Sequence, residues 1–251
     1  MDNQIFVLFD QAEDYFAKSI ARRTQDFSGT ASAYSTDIND EPMNSLIIKK
    51  PVSSIDKLIK DAVDFFADIT TWCVSIRAEL VDKNTAATLK RYGFHKAEVS
   101  AAMFLHLEEW KEKSEDSNIK NMDNTLETWA IPLRAYPNTS DEISLKYAQS
   151  HKLALERARN LNHISLFRND TIISSLTISY NDNWARIDDV ATLPEYQGQG
   201  FATKLMRHAL CLAQNKGARF CFLEASKKGL SIYQKLGFKE LFKNQIFEKA
   251  T

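Results

Sequence analysis

Apolar residues in the second half of the chain recur at spacings that alternate between helix and strand. Ile143, Tyr147, Ala154, Ala158 and Leu161 fall near one helical face, which predicts a helix from Asp141 to about Asn160. Thr139 and Glu142 stand at capping-box spacing ahead of it. Ile164–Phe167 and Ile172–Tyr180 read as strands joined by a tight turn at Asn169-Asp170, and Trp184–Leu193 as a third strand. A longer helical pattern follows Gly200, with Ala202, Leu205, Met206, Ala209, Leu212 and Ala213 on its apolar face and a stop at Lys216-Gly217. Phe220–Leu223 is almost wholly apolar, as a central strand covered on both faces would be. Leu230–Leu236 is a short helix closed by Gly237, and Gln245–Glu248 belongs to a final strand.

The first half ends in the same order. Ile55, Leu58, Ile59, Ala62, Phe65 and Phe66 share a helical face, Trp72–Ile76 is a strand, Ala86–Tyr92 a short helix, and Ala102–Leu107 another strand. Leu89-Lys90-Arg91-Tyr92-Gly93-Phe94 answers Ile232-Tyr233-Gln234-Lys235-Leu236-Gly237-Phe238. We read a diverged internal duplication. The polar stretch from Trp110 to Thr125 marks the boundary between the halves. The expected organisation is a first domain over 1–112, a linker over 113–125 and a second domain over 126–251.

Composition narrows the function classes. The 251 residues carry 32 basic and 33 acidic side chains, so no general attraction to a nucleic-acid backbone is expected. No apolar run is long enough to span a membrane, and the stretch beginning Met1-Asp2-Asn3-Gln4 does not read as a signal peptide, so none is expected. Cys73, Cys211 and Cys221 lack metal-site spacing and suit a reducing compartment, so a cytoplasmic protein without a metal is expected. His163 and His208 read as surface or helix-edge histidines.

The chemistry concentrates in Leu193-Pro194-Glu195-Tyr196-Gln197-Gly198-Gln199-Gly200-Phe201-Ala202, which joins a strand to the long helix. Glycines there free the backbone amides, and amides at a helix start bind anions. The run is neither a dinucleotide fingerprint nor a P-loop. From spacing alone it is either a pyrophosphate cradle or a structural turn.

Gln197-Gly198-Gln199-Gly200-Phe201-Ala202 resembles the Q/R-x-x-G-x-G/A motif of the GCN5-related N-acetyltransferase family, with Val190–Glu195 like the strand that enters it and Ile232–Phe238 like its late helix and turn. The resemblance covers about the last 90 residues well. It implies an α/β (α+β) fold, a mixed and mostly antiparallel sheet flanked by helices, here in tandem. It implies an N-acetyltransferase that moves an acetyl group from acetyl-CoA to a small-molecule or peptide amine. A non-catalytic module of the same fold is the alternative. Either a monomer or a homodimer fits.

By resemblance, the amides of Gln197, Gly198, Gln199, Gly200, Phe201 and Ala202 hold the pyrophosphate, and the strand edge at Val190, Ala191 and Thr192 meets the pantetheine arm. Ser226 stands where the family usually has asparagine. Tyr233 matches a tyrosine that protonates the leaving thiolate. The family has no universally placed base. Asp188, Asp189 and Glu224 are the candidates, and strand alternation sends Asp188 and Asp189 to opposite faces. In the first half, Lys49-Lys50-Pro51-Val52-Ser53-Ser54 occupies the place of the glycine loop and contains no glycine, so that half is expected to lack a cofactor site of its own.

Overall fold

The computed structural model describes residues 3–39, 43–112, 116–136 and 139–249. In chain order the elements are α1 (Asn3–Ile20), β1 (Arg23–Phe27), β2 (Ala31–Ser35), β3 (Asn44–Ile48), α2 (Ile55–Phe65), β4 (Cys73–Arg77), α3 (Lys83–Arg91) and β5 (Phe94–His106). They continue with β6 (Ile119–Asn121), α4 (Leu126–Trp129), α5 (Asp141–Glu156), β7 (Leu161–Arg168), β8 (Thr171–Tyr180), β9 (Trp184–Thr192), α6 (Phe201–Asn215), β10 (Phe220–Ala225), α7 (Leu230–Lys235) and β11 (Lys239–Lys249). The chain divides into two compact units, one of residues 1–20, 103–224 and 229–239, the other of residues 21–102, 225–228 and 240–251. Each is a mixed, mostly antiparallel sheet flanked by helices.

The smaller unit has strand order β1-β2-β3-β4-β11. Its core gathers the apolar face of α2 (Ile55, Leu58, Ile59 and Ala62) with Trp72, which stacks on Phe66 at 4.6 Å and meets Phe94 edge-on at 4.7 Å. The N-cap of α2 is Ser54, whose hydroxyl accepts from the Lys57 amide.

In the larger unit the order is β6-β7-β8-β9-β10, all antiparallel except the parallel pair β9–β10. The predicted hairpin turn holds Asn169 and Asp170 at φ 48° and 60°, the doubly positive pair that a two-residue turn between twisted strands requires. The helix predicted to reach Asn160 stops at Glu156, because Ala158 turns to φ 55°, and its cap is Ser140, not Thr139. Sequence analysis places no element over 3–20, yet α1 lies in this unit: fully buried Phe9 meets Phe222 edge-on at 5.7 Å, and Tyr15 accepts the Asn160 amide at 2.8 Å. The stretch expected to be a linker contributes β6, paired with β7 from Ile119↔Leu166 to Asn121↔Ile164; residues 113–115 lie outside the described residues.

The two short helices of the duplicated pattern, α3 and α7, end alike. Gly93 and Gly237 take φ 86° and 93°, and their amides close on Lys90 and Gln234 carbonyls.

Candidate active site

Between β9 and α6 the chain makes a short 3-10 turn at Pro194–Tyr196 and then the glycine loop. Gly198 and Gly200 adopt φ 74° and 83°. A Cβ at either would have no neighbour within 4 Å, so these positions need glycine for the backbone angle, and the space beside them is open. Gln197 and Gln199 fold back, their amide groups donating to the Thr192 and Glu195 carbonyls at 2.9 and 3.0 Å. Gly200 is the N-cap of α6 and brings no side-chain acceptor. The first-turn amides, among them those of Phe201 and Ala202, therefore meet the physical requirement of a pyrophosphate site.

The parallel pairing of β9 with β10 runs from Trp184↔Phe220 only to Arg186↔Phe222, although β9 continues to Thr192 and β10 to Ala225. The strands part there, and the free stretch of β9 holds Val190, Ala191 and Thr192. The Val190 carbonyl accepts the Tyr136 hydroxyl at 3.0 Å, and that of Thr192 the Gln197 side chain. The corresponding parallel pair of the smaller unit differs: β3 stays paired with β4 to its last residue, Ile48↔Ile76, and opens no such edge.

A bulge lies where β9 leaves β10. Its register against β8 shifts between Thr177↔Asp188 and Ser175↔Ala191, and Asp189 takes φ 58°. Simple alternation, which predicts opposite faces for Asp188 and Asp189, therefore fails. Asp188 receives the Arg186 guanidinium at 3.0 Å, while Asp189 accepts from the Tyr147 hydroxyl at 2.9 Å and the Thr177 hydroxyl at 2.7 Å. Both carboxylates act on the Tyr136 and Tyr147 phenols, so the two belong to one cluster.

That cluster is acidic. Burial works against the charge of Arg186, but Asp188, Glu13 and Glu224 together hold its pKa above the ordinary value. Glu224 thus sits as a counter-charge to Arg186. Burial raises Asp188 while Arg186 pulls it back down. Asp189, whose side chain is 12% exposed, is pushed up to about 7, first by burial and then by the Asp188 charge.

Tyr233 on α7 is buried, and burial followed by the Asp188 charge pushes its phenol up to about 12. Its ring lies against Gly229: a Cβ there would come within 2.8 Å of the ring. The fully buried Cys221 thiol is raised by the same two influences. Ser226 is exposed in the turn after β10.

Sequence reasoning missed Glu13, Tyr136, Tyr147, His151 and Arg186. His163, expected at the surface, is completely buried on β7 because its ring closes a packed cluster with Trp129 (4.8 Å) and His151 (4.9 Å). His208 is half-buried on α6. No group of side chains suited to a metal ion occurs among the described residues.

Residues 124–238 match the model of the Acetyltransferase (GNAT) family. A mouse thialysine N-epsilon-acetyltransferase is 32% identical over 62 residues, 24% of this chain and 36% of that protein, so the match spans about a third of the curated relative's length. A GCN5-related N-acetyltransferase from Kribbella flavida superposes with a TM-score of 0.65 at 12% identity, over 96% of this chain and 95% of that one. A tandem GNAT protein from the clavulanic acid biosynthesis pathway gives 0.57 at 13% identity, again over 96% and 95%. At these identities the structural likeness speaks for the fold.

Proposed function

We propose, for a chain whose residues 124–238 form an acetyltransferase domain of the GNAT family, that it transfers an acetyl group from acetyl-CoA to an amine, with Asp189 as base and Tyr233 as proton donor. The amides of residues 198–202 would hold the pyrophosphate, that of Gln197 being taken by the Pro194 carbonyl at 3.2 Å, and the edge at Val190–Thr192 would meet the pantetheine arm. The donor supplies an activated thioester carbonyl; everything else is the work of side chains.

The observation that carries this reading is Asp189, a nearly buried carboxyl at the bulge where β9 parts from β10. An alkyl ammonium titrates at about 10.4, so an ordinary aspartate would be about six and a half units too weak to deprotonate it, whereas one near 7 is about three and a half units away. The surrounding carboxylates of Asp188, Glu13 and Glu224, set against Arg186, favour an acceptor that arrives as a cation. Tyr233 keeps its proton at neutral pH and offers it to the departing thiolate.

In the smaller unit the corresponding loop lacks glycine, and β3 offers no parted edge. We therefore assign the chain a single donor site. Three free cysteines, two of them buried, fit a reducing, cytoplasmic setting.

The test is release of free thiol from acetyl-CoA in the presence of a panel of small-molecule and peptide amines. Amine-dependent release that falls on replacing Asp189 supports the reading. Tight binding of acetyl-CoA with no release to any amine would make the protein a binding module of the same fold.

A further inference from the structure

Behind Asp189 lies a chain of buried polar groups that the transfer reaction as described does not use. Asp123 Oδ1 lies 2.8 Å from His163 Nδ1, and His163 Nε2 lies 2.8 Å from His151 Nδ1. His151 Nε2 faces Asp189 Oδ2 at 3.6 Å and has no hydrogen-bond partner among the described residues. Both rings are completely buried, packed around Trp129. The residues come from the turn after β6, from β7, from α5 and from the bulge of β9.

The anchor sets the direction of the chain. Burial works to raise Asp123, but the hydrogen bonds from His163, Asn121 and Asn162 prevail and hold it below its ordinary value, so it is an acceptor only. Burial keeps both histidines neutral, His151 most strongly. A neutral His163 that donates from Nδ1 must accept at Nε2. His151 must then donate from Nδ1, which leaves the lone pair of its Nε2 directed at Asp189.

We propose that His151, locked in this tautomer by His163 and Asp123, is a positioning residue that accepts a hydrogen bond from Asp189 once Asp189 has taken the proton of the amine, and so makes Asp189 a stronger base. This rests on the role of Asp189 given above. The amine proton goes to Asp189 Oδ2; the new O–H points at His151 Nε2, and no further proton moves. The other ionisable groups facing Asp189 are Asp188 and Arg186 on β9, Tyr147 on α5 and Tyr136. None of them offers a neutral lone pair fixed in this way. The Tyr147 and Thr177 hydroxyls donate to the carboxylate and stabilise its charged form.

The test uses nuclear magnetic resonance on the full chain without substrate. Imidazole 15N shifts should show bare Nε2 and protonated Nδ1 on both His151 and His163; a protonated Nε2 on His151 would overturn the proposal, and this reading needs no variant. The carboxyl 13C signal of Asp189, assigned with Asp189→Asn, should titrate about one pH unit lower in His151→Phe, which keeps the ring volume but loses the acceptor. Asp123→Leu, which releases the tautomer lock, should shift it the same way. Asp123→Asn keeps an acceptor oxygen for His163 and should leave it unchanged. An unshifted or raised titration in His151→Phe, or equal shifts in Asp123→Asn and Asp123→Leu, would overturn it. If these readings hold while no amine is acetylated, the error lies in the proposed function and not in the hydrogen-bond chain.

Discussion

Replacing Asp189 with asparagine should stabilise the protein at alkaline pH and leave its stability unchanged near pH 4. In the folded chain Asp189 titrates near 7, against 3.8 for an ordinary aspartate. A raised folded value means that the carboxyl carries no penalty below about pH 4, where it is protonated in both states. Stability is then lost as pH rises toward 7, because only the unfolded chain ionises freely. The difference of about three units corresponds to about 4 kcal/mol as an upper bound. Residual exposure and relaxation around the charge reduce this, and about 1–3 kcal/mol is the expected gain at pH 8. Asparagine also resembles the protonated carboxyl: its oxygen accepts one hydroxyl, and its amide can face His151. Urea unfolding of both proteins at intervals from pH 4 to pH 8 would measure the difference. A gap that stays constant across that range, or an asparagine variant that is the less stable at pH 8, would refute the raised titration of this buried carboxyl.

Other perturbations act on separate parts of the site. Tyr233→Phe should retain the fold and lower turnover by about 10-fold to 1,000-fold where chemistry limits the rate, read by thiol release; unchanged turnover would return Tyr233 to a packing role. Gly229→Ala should lower turnover and cost about 1–3 kcal/mol of stability, because its backbone angle is ordinary but its new Cβ would fall 2.8 Å from the buried Tyr233 ring, which must shift; full activity would show that the ring position does not matter. Gly200→Ala should cost about 1–2 kcal/mol through its positive φ and weaken acetyl-CoA binding, both measurable by thermal shift with and without the ligand.

Local features of the fold were legible because their causes are local. Gly93, Gly198, Gly200 and Gly237 stand where positive φ is needed, and the hairpin at Asn169-Asp170 carries the residues its turn demands. The acid-base groups were less legible. Asp188 and Asp189 are visible as a pair, but the bulge that gathers them depends on how β9 registers against β8, and alternation alone predicts the wrong faces. His151 and His163 sit on a helix and a strand with no spacing that signals contact, and their anchor, Asp123, lies in a polar stretch that composition marks as a linker. The helix α1 was missed although its buried positions, Ile5, Phe9, Ala12 and Phe16, are spaced at helical intervals.

Every role assigned above depends on a single acetyl-CoA site at the glycine loop between β9 and α6. Isothermal titration calorimetry of the full chain with acetyl-CoA tests it most directly, with a Gly200→Asp variant alongside to place a carboxylate where the pyrophosphate would lie. One molecule bound per chain, with binding abolished in the variant, is the expected result. No binding at millimolar acetyl-CoA, two molecules per chain, or undiminished binding by a folded Gly200→Asp protein would contradict it.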